Sequence, residues 1–368
     1  MGAAKGNETG ARARRWRRAP LAVAGIGLLL GPAMASGCQP GFDPPSKVAG
    51  LRILAVQADK PYANAGESVT FEMTYTDGLD PANPRNVQIA WIGGCFDPPG
   101  DLYYGCYAQL GKQLASASSV KPGQPPPPEL EGVLGMGPKF TTKLPADLVA
   151  RRPAPDQGSR YGTAFVFFMA CAGKLGPAPA TSEGRAGSFP IACFDETGRQ
   201  LGADSFVPGY TQIYAFEDER TNANPVITGI TYDGNELPDD VTQAPTLKAC
   251  PLTDDERRIQ GCSKKQAEQA CQTYALRVEV PTDVAEIDPQ SKSREGGELR
   301  EVVWVDYYVD GGELSADVAL LSEASTGYND DHSVTWLPPD APGVYAVWAV
   351  VHDNRGGTSV TRRFVRVE

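Results

Sequence analysis

The sequence predicts an all-β protein built from two consecutive β-sandwiches, and three observations support this fold class. About one residue in five is Gly or Pro, 40 and 32 of 368, against a usual share of about 12%, so the chain turns often. Several segments alternate apolar and polar residues with a period of two, which is typical of half-buried strands. The same order of strand types occurs in both halves, so each half is predicted to form one sandwich.

In the first half, three segments predict strands. Residues 68–76 alternate throughout, with apolar side chains at the odd positions. Val87, Ile89 and Trp91 alternate in the same way. Residues 163–171 are apolar throughout, as expected for a strand that is covered on both faces.

In the second half, alternation returns at residues 274–280, a strand with a single Trp follows at 302–309, and residues 344–351 are apolar throughout. The polar stretch 217–225, which ends in Pro, predicts a linker between the halves. We therefore expect a first sandwich with loop insertions over residues 47–216 and a second over residues 226–368.

Two stretches resemble PKD-like and bacterial immunoglobulin-like domains. Residues 343–367 look like the closing hairpin of such domains, in which a strand runs into Asp-x-x-Gly-Gly and returns. Asp353, Asn354, Gly356 and Gly357 suit a turn that requires positive φ. Residues 51–75 are similar to the first two strands of these domains. The resemblance implies sandwich domains, but a fold alone implies no activity.

Two insertions interrupt the strand pattern. Residues 121–132 are Pro-rich and predict an exposed stiff loop, with a polyproline ligand as the less favoured alternative. Residues 249–272, in the second half, are the only segment for which a helix is predicted. Ser263 and Gln266 form a capping-box pattern for a short helix that ends near Ala270.

The first 37 residues predict an export signal. The basic segment 12–18 precedes an uncharged, mostly apolar stretch at 20–34, which is shorter than the roughly 20 residues of a membrane span. Residues 35–38, Ala-Ser-Gly-Cys, resemble the lipobox of bacterial lipoproteins. The resemblance implies cleavage before Cys38, acylation of its sulfur and anchoring in a membrane.

In this family, Gln39 after the cysteine implies the outer membrane. Two alternatives stay open: an ordinary signal-peptidase cut after Ala35, and an uncleaved N-terminal anchor. Residues 38–46 lack periodicity and are interpreted as a tether between the lipid and the fold.

Lipid anchoring would change the number of cysteines that are available for disulfide bonds. Lipidation at Cys38 leaves seven of the eight cysteines, an odd number in an oxidising compartment, so one thiol would stay unpaired. A pairing at the base of the helical insertion would leave Cys262 as that free thiol, although pairings that use Cys262 stay open. The candidate disulfides are Cys95 with Cys106, Cys171 with Cys193, and Cys250 with Cys271.

Charge and motifs exclude several functions. The first 37 residues hold six basic residues and one acid, so the rest, with 28 basic and 44 acidic side chains, carries −16. Such a body repels phosphate backbones, and we expect no nucleic-acid partner. G-x-S-x-G, H-E-x-x-H and C-x-x-C motifs are absent from the sequence. His332 and His352 lie near predicted turns, where solvated side chains are expected, so we predict no catalytic residue, metal site or cofactor.

One stretch suggests a cation. Residues 218–225 distantly resemble the calcium-binding linkers of cadherins, whose oxygen atoms ligate the ion. Thr221 and Ala223 replace two ligand positions of that pattern. We therefore expect an ordinary polar linker.

The function predicted from these features is that of a non-catalytic cell-envelope lipoprotein that works by binding, adhesion or scaffolding through loops at the sandwich ends. Expected partners are membrane lipid, through the N-terminal acyl chains, and an envelope protein or glycan. Candidate contacts are Tyr103, Tyr104 and Tyr107, which alternatively pack over the adjacent disulfide. A carboxylate-based glycan-active enzyme or accessory module, which needs only two Asp or Glu, and a purely structural spacer are the alternatives.

Overall fold

The computed structural model describes residues 44–80, 83–117, 130–179, 191–253, 256, 270–293 and 296–368. Strands dominate these residues, which confirms the all-β prediction. They belong to one compact unit, Pro40–Glu368, and the predicted domain bounds stay a prediction. The signal peptide, Cys38, the start of the tether, Cys262 and the predicted helix start at Ser263 lie outside the described residues.

The first sandwich consists of a three-stranded sheet in the order β1-β2-β5 and a four-stranded sheet in the order β4-β3-β6-β9. All strand pairs in these two sheets are antiparallel. A separate hairpin is formed by β7 and β8. The strands are β1 (Leu51–Ala58), β2 (Ser68–Asp77), β3 (Gln88–Phe96), β4 (Leu134–Met136), β5 (Lys139–Lys143), β6 (Tyr161–Cys171), β7 (Lys174–Pro177), β8 (Ile191–Phe194) and β9 (Phe206–Phe216).

Trp91 lies at the centre of the first core, between the two sheets. Its ring stacks on Phe140 at 5.7 Å and on Phe71 at 6.3 Å, and meets Phe168 edge-on at 5.7 Å. The indole Nε1 donates to the carbonyl oxygen of Gly137 at 2.7 Å, so the buried polar atom is satisfied. Alternating residues of β2 and β3 therefore face inward, as their period of two predicts.

Strand β6 is covered on both faces, as its unbroken apolar sequence predicts. One face belongs to the core around Trp91. The other carries Phe165 and Phe167, which pack with Cys106 and Leu110. Leu110 belongs to helix α1 (Tyr107–Ala117), so the expectation of a helix only at residues 249–272 was wrong. Short helices depend on tertiary packing more than on propensity, and α1 has this packing against the sheet.

The second sandwich contains a five-stranded sheet, β11-β10-β13-β20-β17, and a six-stranded sheet, β12-β22-β21-β16-β18-β19. In the six-stranded sheet, the edge strand β12 pairs in parallel with β22. Strands β14 and β15 form a separate hairpin. The strands are β10 (Gly229–Tyr232), β11 (Asn235–Glu236), β12 (Thr246–Leu247), β13 (Tyr274–Glu279), β14 (Ile287–Lys292), β15 (Glu298–Arg300), β16 (Val303–Val309), β17 (Glu313–Leu314), β18 (Val318–Glu323), β19 (Gly327–Tyr328), β20 (Val334–Leu337), β21 (Gly343–Asp353) and β22 (Thr358–Val367).

Tyr307 and Trp336 fill the second core, and both are fully buried. The Tyr307 hydroxyl accepts from the backbone N–H of Val278 at 2.8 Å, and Trp336 Nε1 donates to the carbonyl oxygen of Gly311 at 3.0 Å. Trp304, on the strand that corresponds to that of Trp91, stacks instead on the side chain of His352 at 5.4 Å. The two halves therefore repeat their strands but not the position of the core tryptophan.

The closing hairpin, β21 and β22, has the predicted bounds and turn. Its strands pair from Gly343 with Val367 to His352 with Thr358. Within the turn only Gly356 has positive φ, +94°, so the positive φ expected at the other turn residues is absent. Asp353 organises the turn instead, because its Oδ1 accepts from the backbone N–H groups of Arg355 and Gly357 at 2.7 and 2.9 Å.

The two sandwiches contact each other through an apolar face. Leu54 and Ala55 of β1 pack against Trp348 and Val350 of β21. This contact lies outside both sandwich cores, and the linker is therefore not the only connection between them.

The segment before β1 also binds the second sandwich. Val48 N–H donates to the carbonyl oxygen of Val309, and Val309 N–H donates to the carbonyl oxygen of Ser46, both at 2.9 Å. Ser46, the last residue of the predicted tether, is buried. The end of the tether is thus part of the fold.

Candidate binding surface

Four tyrosines form an exposed cluster on the outer side of the first sandwich, which we call the tyrosine surface. Its members Tyr103, Tyr104 and Tyr107 were predicted as contact residues, and the structure adds Tyr210 of β9. Their exposed fractions are 36%, 55%, 42% and 44%. Aromatic side chains with so much open surface are available to a ligand.

Tyr103 is the centre of the tyrosine surface. Its ring stacks on Tyr210 at 4.5 Å with an angle of 18° between the planes. Tyr104 and Tyr107 lie nearly perpendicular to it, at 5.8 and 6.0 Å. Both arrangements are favourable for aromatic pairs, so the rings hold one another in place.

The cluster rests on the outer face of β6. The ring of Tyr107 lies 6.4 Å from that of Phe167, and the ring of Tyr210 lies 5.8 Å from that of Phe165 and 6.0 Å from that of Phe167. The Cys95–Cys106 disulfide belongs to the same apolar layer as these phenylalanines. The tyrosines thus cover a buried layer and remain open on their outer side.

The loop that carries the tyrosines is held at both ends. The disulfide closes it at Cys95 and Cys106, whose Cα atoms are 5.7 Å apart. Asp97 and Asp101, inside this loop, have φ of +49° and +54°. Non-glycine residues rarely adopt this conformation, which persists only where surrounding contacts impose it.

Those contacts come mainly from Arg152, which follows β5 in the chain. Its Nε donates to Asp97 at 2.8 Å, and its Nη1 donates to Asp101 at 3.1 Å. The hydroxyl of Tyr161 also donates to Asp101, at 3.0 Å, and the backbone N–H of Thr163 donates to Asp97, at 2.8 Å. The hydrogen bond from Arg152 is the main cause that lowers the pKa of Asp101, so this carboxylate stays ionised.

This arrangement fixes the tyrosine surface before any ligand arrives. A covalent bond and a charged network immobilise the loop, and side chains that are already ordered lose less entropy on binding. Tyr103 and Tyr104 of the loop and Tyr107, the first residue of α1, were predicted from sequence, whereas Tyr210 was missed. In β9, Tyr210 lies on the face opposite to that of the core residues Ile213 and Ala215. This alternation predicts an outward side chain at Tyr210, but only once β9 is identified as a strand.

Three disulfides join described cysteines: Cys95–Cys106 and Cys171–Cys193, which short spacing predicts, and Cys250–Cys271, the pair expected at the base of the helical insertion. The Cα distances are 5.5 Å for Cys171 and Cys193 and 4.7 Å for Cys250 and Cys271. No described cysteine is free. The expectation of a free thiol at Cys262 stays a prediction.

The histidines differ from the expectation of solvated turn residues. His332 is buried, with Nδ1 2.7 Å from the carbonyl oxygen of Asn329 and Nε2 3.1 Å from that of Val278. His352 lies on β21 and contacts Asp306 through Nε2 at 3.1 Å, rather than its sequence neighbour. The ring of His332 therefore connects two backbone segments of the second core.

A carboxylate-based enzyme would require two carboxyl groups that face an accessible cleft, one of them with a raised pKa. Burial raises the pKa of Glu301 to about 7 and that of Asp310 to about 6. Glu301 and its acidic neighbour Asp353 are only 2% and 3% exposed. A glycosidic bond has no access to this pair, since both carboxyls lie inside the protein.

The described residues contain neither a metal-binding cluster nor a membrane-spanning helix. Within the described ranges, no group of three or more His, Cys, Asp or Glu side chains could hold a metal ion. In the same part of the chain, no helix has the length and apolar character needed to cross a bilayer.

Comparisons with known proteins give only distant likenesses. No family model matches the chain, and a comparison with the curated proteins found no match. The D00-D0 domain of intimin is 12% identical, with 87% of this chain and 98% of that one covered and a TM-score of 0.20. Fibronectin(III)-like modules of Clostridium thermocellum CbhA are 11% identical, with coverages of 85% and 93% and a TM-score of 0.21.

Murine CEACAM1b is 10% identical over 86% of this chain and 100% of that one, with a TM-score of 0.19. Superpositions of this quality support neither a fold nor a function. The assignment of the fold rests on the strand order and on the two cores.

Proposed function

We propose that this chain is an exported, lipid-anchored protein of the cell envelope that binds an uncharged glycan through the tyrosine surface. The observation that carries the proposal is the exposure of four tyrosines on a loop and strand that the protein already holds rigid. Holding this loop costs free energy, because Asp97 and Asp101 occupy unfavourable backbone conformations.

Export is supported by the disulfides and by the N-terminal sequence. Disulfides persist in oxidising compartments outside the cytosol, and three are present among the described residues. The basic and apolar segments before Cys38 have the order of a signal peptide. Acylation at Cys38 and anchoring at the outer membrane follow from the lipobox resemblance.

The size of the tyrosine surface favours a compact ligand over a folded protein. Its four members together expose less than the area of two complete tyrosine side chains, about 400 Å² at roughly 200 Å² each. One side of a standard protein–protein interface buries about 800 Å². A short stretch of sugar rings can cover the smaller area.

The charge of the chain favours an uncharged ligand. None of the four members is charged, while the chain after residue 37 carries −16. Anionic polymers would be repelled by this body. Tyrosine rings offer apolar faces to the C–H faces of sugars, and their hydroxyl groups can exchange hydrogen bonds with sugar hydroxyls.

Binding is tested by affinity electrophoresis of the exported chain in gels that contain hydroxyethyl cellulose, soluble starch, arabinoxylan or glycol chitin. We expect at least one of these neutral polymers to retard the protein, and Tyr104→Ala and Tyr107→Ala to weaken the interaction about tenfold, about 1.4 kcal/mol. Tyr75→Ala is the matched control, because Tyr75 is 37% exposed on β2, in the other sheet.

Equal migration of wild type and both surface variants in every gel would contradict the glycan assignment. If wild type captured an envelope protein and Tyr104→Ala did not, the tyrosine surface would remain the binding site, but its ligand would be a protein instead of a glycan. Mass spectrometry of the mature N-terminus tests the anchor separately: we expect an acylated Cys38, and an unmodified chain that begins at Ser36 would refute lipidation.

A further inference from the structure

A polar cluster joins the linker and both sandwiches. We call it the Arg355 joint and define it by Arg355, Glu301, Asp353, Asn222 and Tyr62. Arg355 and Asp353 come from the turn between β21 and β22, Glu301 precedes β16, Asn222 lies in the linker, and Tyr62 follows β1. The joint is separate from the tyrosine surface, which lies on the outer face of β6.

The guanidinium of Arg355 touches all three parts of the chain. Its Nη2 donates to the carbonyl oxygen of Thr221 in the linker at 2.6 Å. Its Nη1 lies 2.8 Å from Glu301 Oε1 in the second sandwich. Its central carbon lies 5.2 Å from the centre of the Tyr62 ring in the first sandwich, a cation–π distance.

A second residue of the linker also bridges the two sandwiches. Asn224 Nδ2 donates to the carbonyl oxygen of Ala58, at the end of β1, at 2.8 Å. Its Oδ1 accepts from the backbone N–H of Thr358, at the start of β22, at 2.9 Å. The linker therefore stays in contact with both sandwiches and does not behave as a free tether.

The joint contains more negative than positive charge. The charges of Asp353 and Glu286 both raise the pKa of Glu301, and the guanidinium of Arg355 opposes them. Tyr62 faces the same guanidinium, and Arg220 acts on Tyr62 from the linker side. At least one carboxylate is thus incompletely compensated.

Asp353 and Glu301 are compensated unequally. Asp353 accepts two hydrogen bonds from Asn222 Nδ2, at 3.1 and 3.2 Å, besides those of the turn. Glu301 accepts from the backbone N–H of Glu286 at 3.1 Å. Its Oε1 and Arg355 Nη1 are close, but within the described residues neither atom has an aligned hydrogen-bond partner.

We infer that Glu301 makes the contact between the two sandwiches sensitive to pH, because taking up one proton relieves the repulsion among the buried carboxylates. Neutral Glu301 remains compatible with the site, since its carboxyl still accepts from the backbone of Glu286. Arg355 then keeps the more exposed Glu286 as a counter-charge, at 3.6 Å.

The direction follows from the two states of Glu301. Burial, and next the charge of Asp353, raise the pKa of Glu301 from 4.5 to about 7 in the folded protein. When the joint opens and water reaches the carboxyl, the pKa returns toward 4.5. The extra stability is therefore fully present below pH 4.5 and is lost as the pH rises through 7. Over this window the opening equilibrium changes roughly 300-fold.

Hydrogen exchange of the full chain tests the inference without mutation. We expect the backbone amide of Thr358, which donates to Asn224 Oδ1 of the linker, to be better protected at pH 5.5 than at pH 8, after correction for intrinsic exchange. Amides of the first core, such as that of Phe168, serve as the internal reference. Equal protection at both pH values would overturn the inference.

A variant isolates the carboxyl. Glu301→Gln keeps the shape of the side chain and stays neutral, so we expect it to show no change in joint protection between pH 5.5 and 8. Glu286→Gln, whose side chain is 43% exposed, is the matched control and should keep most of the wild-type pH dependence. A Glu301→Gln protein with the wild-type pH profile would refute the role of Glu301.

Discussion

Replacing Arg152 by methionine removes one of the two guanidinium groups that hold the tyrosine loop and keeps most of the side chain's volume, while Arg151 Nε still donates to Asp97 at 2.8 Å. In the folded protein this leaves Asp97 and Asp101 without their shared guanidinium. The exposed fractions of the three side chains are 20% for Arg152, 11% for Asp97 and 24% for Asp101. These three side chains are thus mostly removed from water. Losing the ion pairs of Arg152 with the two carboxylates therefore costs more free energy of unfolding than losing a surface ion pair.

Breaking a buried ion pair by removing one partner costs about 3 to 5 kcal/mol. Because Asp101 keeps some contact with water and retains Tyr161 as a donor, we expect the lower end, about 3 kcal/mol. Urea unfolding of the intact, disulfide-bonded chain measures this value. Lys139→Met is the control: Lys139 pairs with Glu72 across exposed side chains, and such pairs contribute about 0 to 1 kcal/mol.

The pH dependence gives a second readout for the same variant. The pKa of Asp101 is lowered from 3.8 in the folded protein, chiefly by its hydrogen bond with Arg152. Its contribution is therefore present above pH 3.8 and is lost as the pH falls through the folded pKa. We expect Arg152→Met to lose less stability than wild type between pH 5 and pH 2. Unfolding indistinguishable from that of Lys139→Met would refute the reasoning.

Two further predictions concern the backbone and the cross-links. Gly312 and Gly327 both have φ of +79°, but a Cβ at Gly312 would collide with the carbonyl oxygen of Leu337, whereas nothing lies within 4 Å of a Cβ at Gly327. Gly312→Ala should therefore lower the urea midpoint far more than Gly327→Ala. Equal effects of the two substitutions would contradict the packing argument. Replacing Cys171 and Cys193 together by serine opens a loop of 22 residues and should cost about 3 kcal/mol, measured by the same unfolding; a midpoint unchanged from wild type would contradict it.

Local patterns were sufficient for much of the fold. The alternation in β2 and β13 predicted strands with one covered face, and the unbroken apolar run of β6 predicted a strand with two. The Asp-x-x-Gly-Gly turn predicted the closing hairpin, because turn conformation is set by a few adjacent residues. Short spacing was enough to choose the Cys95–Cys106 and Cys171–Cys193 pairs, since few residues separate the two sulfurs in each loop.

The tertiary structure decided the features that depend on residues far apart in the chain. Helix α1 has little signal of its own and depends on packing against Phe165 and Phe167, some 50 residues later. The tyrosine surface needs Tyr210, which joins Tyr103 only because β9 pairs with β6.

The same holds for the core tryptophan and the Arg355 joint. Period-two alternation does not tell which of two equally apolar faces meets the other sheet, so Trp304 and Trp336 could be assigned only once the sheets were paired. The charges of Glu301, Asp353 and Arg355 are visible in the sequence. Their burial beside Tyr62 depends on how the two sandwiches pack, because the free energy of a buried charge depends on the groups brought around it by the whole fold.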